Sequence, residues 1–296
     1  MIYTLGESLM DIIITRDGQT EEKPGGSMLN VAVSLGRAGK EVSLVSEIGD
    51  DRTGQILIDF LKENGVSTHL VRKYAGGKTS VARATLDENQ KPDYIFTKAY
   101  PEQRSLPDPP EFTQQDVLIF GSMYACDPHI NKDINAYLES AQRGGALIVY
   151  DPNIRQGNNI KHKNKLLFQN LAYADVIKGS DEDFMYIFRM DAVVAIKYEL
   201  RKVNKRALII ITLGEKGSVV FLKNIMLEFP AIKTTVLSTI GAGDAFTAGV
   251  VNSIIDQDLF DGFNVVSESH LKKILMEGTR FSSMVCRTMD NYIPVM

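Results

Sequence analysis

The segment Thr239-Ile240-Gly241-Ala242-Gly243-Asp244 has residue types and spacing that suit phosphoryl transfer. It follows a β-prone run that ends at Leu237 and precedes a helix-like run over 245–255. Small residues at 241–243 let successive backbone N–H groups face one anion beside the positive end of the helix. Asp244 could then accept a proton from an attacking hydroxyl, which is the layout of a phosphotransferase. Taken alone, the segment is equally consistent with a plain turn and a helix-dipole carboxylate.

Composition and charge restrict the class of protein. The 296 residues are 44% apolar and 24% charged, as in ordinary globular proteins, and the formal net charge is −4. A chain without a basic surplus is not expected to bind nucleic acid or an acidic membrane surface. Cys126 and Cys286 lack disulfide-framework and metal-ligand spacing, which favours buried thiols in a reducing compartment. No apolar run is long enough to cross a bilayer, so we predict a cytoplasmic protein.

Strand-like and helix-like segments alternate through most of the chain. The apolar strand-like runs lie at 117–120, 146–150, 176–178 and 207–212. The helical patterns lie near 130–143, 161–173, 193–204, 243–256 and 268–286. This alternation predicts an α/β fold in which helices cover both faces of a mostly parallel sheet.

Residues 68–100 have a different pattern. Their β-branched and aromatic runs are separated by Gly76-Gly77 and Asp87-Glu88-Asn89, which favours hairpins over strand–helix units. Together with about 11–24, they predict a small antiparallel sheet that projects from the body and is called the lid below. We expect one domain over residues 1–296 that carries this lid.

Several glycine-rich or acidic segments directly follow strands. Ser27 is a plausible N-cap for a helix over 28–35, and Asn30 would lie in its first turn. In open parallel sheets, ligands bind beyond the carboxyl ends of the strands, so these segments should converge there. The segments are 6–11, 25–30, 151–155, 212–217 and 239–246.

In their order along the chain, these motifs resemble the ribokinase-like sugar kinases, also called the PfkB family, and especially its fructokinase-like members. The motifs are Gly6-Glu7 with Asp11, Gly25-Gly26 with Asn30, Ile48-Gly49-Asp50 with Gly54, Asp151-Pro152-Asn153-Ile154-Arg155, Thr212-Leu213-Gly214 with Gly217, and Gly241-Ala242-Gly243-Asp244. The resemblance implies a three-layer α/β/α core with a β-sheet lid over the sugar. It also implies ATP as the donor and Mg²⁺ as the partner of ATP.

The resemblance also implies roles for individual residues. Asp244 would be the general base, and the amides of Gly241, Ala242 and Gly243 would stabilise charge on the transferred phosphoryl group. The implied sugar-binding residues are Asp11, Gly26, Asn30, Arg83, Asn153 and Arg155. The implied nucleotide-binding residues are Lys178, Ser180, Thr212, Gly214 and Gly217, with Asp183 acting on Mg²⁺ through water.

Ordinary structural roles remain open for the charged members of this set. Asp183 could be a solvated acid in a first helical turn, and Arg155 could be a surface ion-pair partner. Arg83 and Lys98 could be solvated charges on the lid.

Three positions depart from the family pattern. Ser238 stands where relatives usually carry an Asp that helps hold K⁺, which makes K⁺ activation doubtful. Asp183 replaces a longer Glu, so metal organisation is expected to be altered. Asp290-Asn291 replaces a Gly-Ala pair that borders the adenine and cation sites. None of these changes removes the base or the anion site.

The most specific function that these residues support is ATP-dependent phosphorylation of the primary hydroxyl of fructose. A 2-keto-3-deoxygluconate kinase is the near alternative and would need a cation for the carboxylate, which Arg83, Lys98 or Arg155 could supply. A non-catalytic sugar-binding regulator is the alternative from another class. Strands of the lid could pair with a second copy, so we expect a homodimer.

Overall fold

The computed structural model describes residues 1–14, 20–86, 92–154, 164–260, 263 and 265–296. Within these residues, ten strands form the main sheet and four form a smaller one. The strands are β1 Ile2–Leu5, β2 Leu9–Ile14, β3 Thr20–Gly25, β4 Val42–Gly49, β5 Val66–Ser67, β6 Val71–Tyr74, β7 Val81–Leu86, β8 Pro92–Thr97, β9 Val117–Gly121, β10 Leu147–Asp151, β11 Val176–Ser180, β12 Leu208–Thr212, β13 Ser218–Leu222 and β14 Ile225–Phe229.

The helices mostly lie in the predicted segments. They are α1 Ser27–Arg37, α2 Arg52–Glu63, α3 Asn131–Gly144, α4 Asn164–Tyr173, α5 Asp181–Phe188, α6 Ala192–Ala195, α7 Arg201–Val203, α8 Ala242–Asp256 and α9 Glu268–Cys286, with a π-helical turn at Ile196–Leu200 between α6 and α7. None of the helices in the described part of the chain combines the length and apolar character that a membrane span requires.

The main sheet is parallel except at one edge. Its order is β14-β13-β12-β11-β10-β9-β1-β4-β5, and β6 also pairs with β4. β13 is antiparallel to both β12 and β14, as the short turn at Lys216-Gly217 indicates. Every residue of β1, β4, β9 and β10 is buried, which is expected of strands covered on both faces.

Two hydrophobic cores lie on opposite faces of this sheet. Along β12, Leu208 and Ile210 face one core, whereas Ile209 and Ile211 face the other. Helices α1, α2, α8 and α9 supply the first core, and α3, α4 and α5 supply the second. The predicted three-layer α/β/α arrangement is therefore confirmed.

The smaller sheet differs from the prediction in its pairing and its extent. Its order is β3-β2-β7-β8, and the two central strands β2 and β7 run parallel, with Met10 opposite Val81. Only its outer pairs are antiparallel. The predicted range 68–100 starts too early for a lid, because β6 at Val71–Tyr74 pairs with β4 of the main sheet. The single-domain assignment over 1–296 stays a prediction.

Candidate active site

The carboxylate of Asp244 lies in the first turn of α8 and is 6% exposed. Ser27 Oγ donates to Asp244 Oδ1 at 2.6 Å, and Asn30 Nδ2 donates to Asp244 Oδ2 at 2.9 Å. Asn153 Nδ2 donates to Oδ1 at 3.2 Å. The structure thus joins three of the five segments that were expected to converge, namely 25–30, 151–155 and 239–246.

The groups around Asp244 and its burial have opposite effects on its pKa. Burial raises the pKa, and the hydrogen bonds from Ser27 and Asn30 lower it. The nearby Asp151 raises the pKa and Lys178 lowers it, with a net result above the ordinary value of an aspartate. A buried carboxylate with a raised pKa that is held by donors is suited to accept a proton.

The N-terminus of α8 has a tight turn at 241–243, the segment predicted to bind an anion and called the anion turn below. Gly241 precedes the helix with φ 78°, a conformation that favours glycine. A Cβ on Gly241 would lie 2.1 Å from the carbonyl oxygen of Asn291, so the close approach also requires glycine. The N–H of Ala242 already donates to the Thr239 carbonyl at 3.2 Å. Since the first N–H groups of a helix lack intrahelical partners, the amides of Gly241 and Gly243 are better placed than that of Ala242 to bind an anion.

A buried ammonium group lies beside this turn. Lys178 Nζ donates to Asp151 Oδ2 at 3.0 Å, and Thr247 Oγ1 donates to the same oxygen at 2.8 Å. A Cβ on Gly243 would lie 3.2 Å from Lys178 Nζ, so the charge contacts the anion turn. Burial lowers the pKa of Lys178, but the charges of Asp151, Asp183 and Asp244 and the hydrogen bond to Asp151 together outweigh burial, so the pKa is raised. The raised pKa favours the positive form of this ammonium group beside the predicted anion turn.

Asp183 is held by three protein donors. Ser180 N and Ser180 Oγ each donate to Asp183 Oδ2 at 2.7 Å, which completes the capping box of α5. Ile154 N donates to Asp183 Oδ1 at 2.7 Å. Burial and the neighbouring Asp151 raise the pKa of Asp183, while the bonds from Ser180 lower it. Asp183 is therefore a buried structural acceptor, and its action on a metal stays a prediction.

The residues expected to bind sugar surround the Gly25-Gly26 bend. A Cβ on Gly25 would lie 2.1 Å from Asp11 Oδ2, and one on Gly26 would lie 2.1 Å from the Glu7 carbonyl oxygen. Gly26 has φ 114° and occupies the N-cap position of α1. The expected N-cap, Ser27, is instead the first residue of the helix, so its hydroxyl is directed to Asp244.

The C-terminal segment crosses this region. Asn291 Nδ2 donates to Asp11 Oδ2 at 3.3 Å, while the Asn291 main chain packs against Gly241. Lys23 Nζ donates to the carbonyl of Met289 at 2.8 Å, which ties β3 to the same segment. Asn291 is 2% exposed. Asn291 therefore connects the small sheet to the anion turn. The sequence analysis recorded Asp290-Asn291 only as a departure from the family pattern and did not indicate this contact.

Of the remaining predicted residues, those that the structure describes lie on β12, on the turn that follows it, and on β7. Thr212 ends β12 beside Ser180, and Gly214 and Gly217 lie in the turn that follows, with φ 59° and 101°. Arg83 is exposed on β7 opposite Ile12 and Ile95. Arg155 lies outside the described residues.

Comparison with known proteins identifies the family. The family model described as pfkB family carbohydrate kinase matches residues 1–295. The chain belongs to this family. A pfkB carbohydrate kinase transfers a phosphoryl group to a sugar hydroxyl, so the protein is a phosphotransferase.

Relatives and solved structures agree with this family. The pfkB kinase is 29% identical over 290 residues to probable fructokinase-4 of Arabidopsis thaliana, covering 93% of this chain and 87% of the relative. It is 29% identical over 254 residues to a fructokinase of Klebsiella pneumoniae, covering 84% and 83%. A Vibrio cholerae fructokinase double mutant, described as bound to fructose, ADP and potassium ion, matches with a TM-score of 0.86 at 18% identity over 98% of this chain and 93% of that one. Aminoimidazole riboside kinase of Salmonella enterica matches with a TM-score of 0.82 at 21% identity, over 98% and 94%. At these identities the structural matches show the shared fold.

Four residues of the site were not assigned a role in it from the sequence: Ser27, Asp151, Thr247 and Asn291. For Ser27 and Thr247, helical spacing could have indicated that role. Ser27 and Asn30 are three residues apart on α1, and Asp244 and Thr247 are three apart on α8, so each pair shares one helical face. Nothing in the sequence pattern of the pfkB kinase indicates the contact of Asn291 with Gly241.

Proposed function

We propose that this pfkB kinase phosphorylates the primary hydroxyl of fructose with ATP. The observation that carries the proposal is the buried Asp244, held by Ser27, Asn30 and Asn153 at the start of the helix whose first amides form the anion turn. The relatives named fructokinase support fructose as the sugar. Structures of a fructokinase with ADP and of another with ATP, from Vibrio cholerae and Xylella fastidiosa, support a nucleotide donor.

The reaction uses each part of the site once. The sugar hydroxyl gives its proton to Asp244 while its oxygen attacks the γ-phosphorus of ATP. A new O–P bond forms, the bond between the γ-phosphorus and its bridging oxygen breaks, and ADP leaves with the bonding electrons. The amides of the anion turn and the ammonium group of Lys178 stabilise the negative charge on the transferred group.

The sugar contacts follow from the same geometry. Asn30 Oδ1 is buried without a hydrogen-bond partner among the described residues, so it can accept from a sugar hydroxyl while Nδ2 holds Asp244. Asp11 and the amide of Gly26 lie on the adjoining bend. Asn153, Arg83 and Arg155 stay predictions as sugar-binding residues.

We propose Mg²⁺ as the divalent ion that accompanies ATP. The part of the chain that the structure describes holds no group of three or more His, Cys, Asp or Glu side chains that could bind a metal. This fits Mg²⁺, which is commonly bound by substrate phosphates, water and one or two carboxylates. Asp151 Oδ1, buried and without a partner among the described residues, could accept from metal-bound water. Asp183 stays a second predicted acceptor, and K⁺ activation stays doubtful because of Ser238.

One observation favours a sugar acid as the alternative substrate. Arg83 is exposed on β7 of the small sheet, where it could bind the carboxylate of 2-keto-3-deoxygluconate. Lys98 is less available for that role, since its Nζ lies 3.8 Å from Glu7 Oε1.

We also propose a homodimer formed through the small sheet. β8 is an edge strand of this sheet, and Ile95 and Phe96 on it are 65% and 44% exposed. An exposed apolar edge strand can pair with a second copy. The cytoplasmic location stays a prediction from the sequence.

The test is ATP-to-ADP turnover with Mg²⁺ across fructose, 2-keto-3-deoxygluconate, ribose and a nucleoside. We expect saturable turnover with fructose, and preference for the keto acid would instead support the carboxylate role of Arg83. Asp244→Asn should abolish turnover, while sugar binding measured by calorimetry largely survives. Asp256→Asn, at the exposed end of the same helix, is the matched control and should leave turnover unchanged. Near-normal kcat in Asp244→Asn would refute the base assignment, and sugar binding without turnover in the native protein would indicate a regulator.

A further inference from the structure

We infer that Ser27 and Asn153 act as a pair of donors that fixes Asp244 Oδ1, that Asp183 holds Asn153 in place, and that Oδ2 is thereby directed to the sugar. This inference rests on the proposed function and concerns residues that position the base without contacting the phosphate. It gives Asn153 and Asp183 roles different from those that the family resemblance implies for them.

The two donors form a closed set of hydrogen bonds with Asp244. Asn153 Nδ2 lies 3.0 Å from Ser27 Oγ and 3.2 Å from Asp244 Oδ1. Since Ser27 Oγ accepts from Asn153, its own proton is free to point at Asp244 Oδ1, 2.6 Å away. A hydroxyl–carboxylate distance this short is typical of a charge-assisted hydrogen bond.

The arrangement leaves the two oxygens of Asp244 with different roles. Oδ1 accepts from both Ser27 and Asn153, which uses its two lone pairs. Oδ2 accepts from Asn30, and within the described residues its second lone pair remains for the sugar hydroxyl. The donor pair thus selects which oxygen receives the proton.

Asn153 needs support to hold this position. Its φ is 40°, in the left-handed region that Asn tolerates better than most residues. The next residue, Ile154, donates its N–H to Asp183 Oδ1 at 2.7 Å. Asp183 is itself fixed by Ser180 N and Oγ at the start of α5. The Asp183 carboxylate accepts from three donors, two from the main chain and one from a side chain. We therefore infer that its main role is to hold the turn at Asn153 and not to bind a metal.

The charged groups around Asp244 predict the direction of the pH effect. Asp151 raises the pKa of Asp244, Lys178 lowers it, and Ser27 is the leading hydrogen-bond donor that opposes the effect of burial. Asp183 faces Lys178 from α5. Removing the Ser27 hydroxyl leaves burial less opposed, so Asp244 should need a higher pH to ionise.

The first test is the pH profile of kcat in Ser27→Ala. Loss of one hydrogen bond to a charged group should move the acid limb upward by about one pH unit, which lowers kcat by up to about tenfold at pH values below that limb. The KM for ATP should stay unchanged. Ser27→Thr keeps the hydroxyl and should restore the native profile. Ser140→Ala, which removes a helix hydroxyl that donates to Pro110 at 3.1 Å, is the matched control and should leave the profile unchanged.

The second test separates positioning from metal binding. Asp183→Ala should lower kcat and move the acid limb as Ser27→Ala does, with an unchanged Mg²⁺ concentration for half-maximal rate. A raised Mg²⁺ requirement with a native acid limb would overturn the role of Asp183. An unshifted acid limb in Ser27→Ala, with native kcat, would overturn the donor pair.

A readout without turnover keeps this inference separate from the proposed function. The difference in Tm between the native protein and Asp244→Asn, followed against pH, reports the ionisation of Asp244. Because its pKa is raised on folding, the native protein should lose stability relative to Asp244→Asn as the pH rises through that pKa. The same Tm difference, measured between Ser27→Ala and the double variant Ser27→Ala/Asp244→Asn, should show this loss of stability at higher pH. The measurement applies even if no tested sugar is phosphorylated. An unchanged midpoint would overturn the inference.

Discussion

The guanidinium group of Arg104 lies between two acids, Glu47 on β4 and Asp127. Its Nε donates to Glu47 Oε1 at 3.0 Å, Nη2 contacts the same oxygen, and Nη1 donates to Asp127 Oδ2 at 2.6 Å. The side chain is 4% exposed, against 0% for Glu47 and 13% for Asp127. The group also stacks over the ring of Tyr100, 3.8 Å from its centroid. Because the ion pairs of Arg104 are buried, a substitution there should have a large effect on the free energy of unfolding.

We predict that Arg104→Met lowers the free energy of unfolding by about 3–5 kcal/mol. The substitution keeps most of the side-chain volume but leaves the Glu47 carboxylate buried without its cation. The hydroxyls of Tyr74 and Tyr124 still donate to Glu47 at 2.7 and 2.8 Å, so the carboxylate is not left without hydrogen bonds. The loss is a large fraction of the roughly 5–15 kcal/mol that stabilises a typical domain.

The assay is urea unfolding at pH 7, followed by circular dichroism. The control is the double variant Glu47→Gln/Arg104→Met, which removes both charges and retains an oxygen that accepts from the two tyrosines. It should be more stable than Arg104→Met, because Glu47 no longer carries an uncompensated buried charge, while Asp127 loses the same cation in both variants. A loss under about 1 kcal/mol in Arg104→Met, the size expected of an exposed ion pair, would refute the reasoning.

Two further predictions concern acid stability and the anion turn. Burial raises the pKa of Asp127, but hydrogen bonds from His129 and Arg104 and the charge of Arg104 lower it to about 2. The resulting stabilisation is about 1–2 kcal/mol after solvent screening. It is present above the ordinary pKa of an aspartate and should disappear as the pH falls towards 2. The free energies of unfolding of Asp127→Asn and the native protein, measured in urea, should therefore converge near pH 2. Gly241→Ala places a Cβ 2.1 Å from the carbonyl oxygen of Asn291 and should reduce kcat about 100-fold or more. Gly39→Ala, at φ 76° with no atom within 4 Å of the added Cβ, should keep native kcat, and equal kcat in the two variants would contradict the role of the turn.

The main sheet could be predicted because burial on both faces leaves a strong pattern. Apolar runs such as Leu208–Thr212 bury neighbouring side chains in opposite cores, so the whole run must be apolar. The helices α8 and α9 were predicted to within a residue for the same reason. The edge of the sheet at which the site lies then follows from the parallel direction of the strands.

The small sheet and the donors to Asp244 could not be predicted in the same way. The paired residues of β2 and β7 are 71 positions apart, as for Met10 and Val81, and local turn residues carry no information on whether such distant strands pair in parallel. Ser27 has the sequence signature of an N-cap, but Gly26 takes that position, and only the packing of α1 against α8 directs the hydroxyl to Asp244. Asn153 depends likewise on a backbone turn that Asp183 holds from helix α5.

The contact of Asn291 with Gly241 has a consequence for how the protein is made. Residues are added to a nascent chain from the N-terminus, and domains tend to fold as units during synthesis. The strands from β1 to β12 can therefore pair on the ribosome before the segment at Met289–Ile293 emerges. That segment receives the hydrogen bonds of Lys23 and Arg37 and presses on the anion turn. The nascent chain should consequently acquire ligand binding late, after the strands of the main sheet have paired.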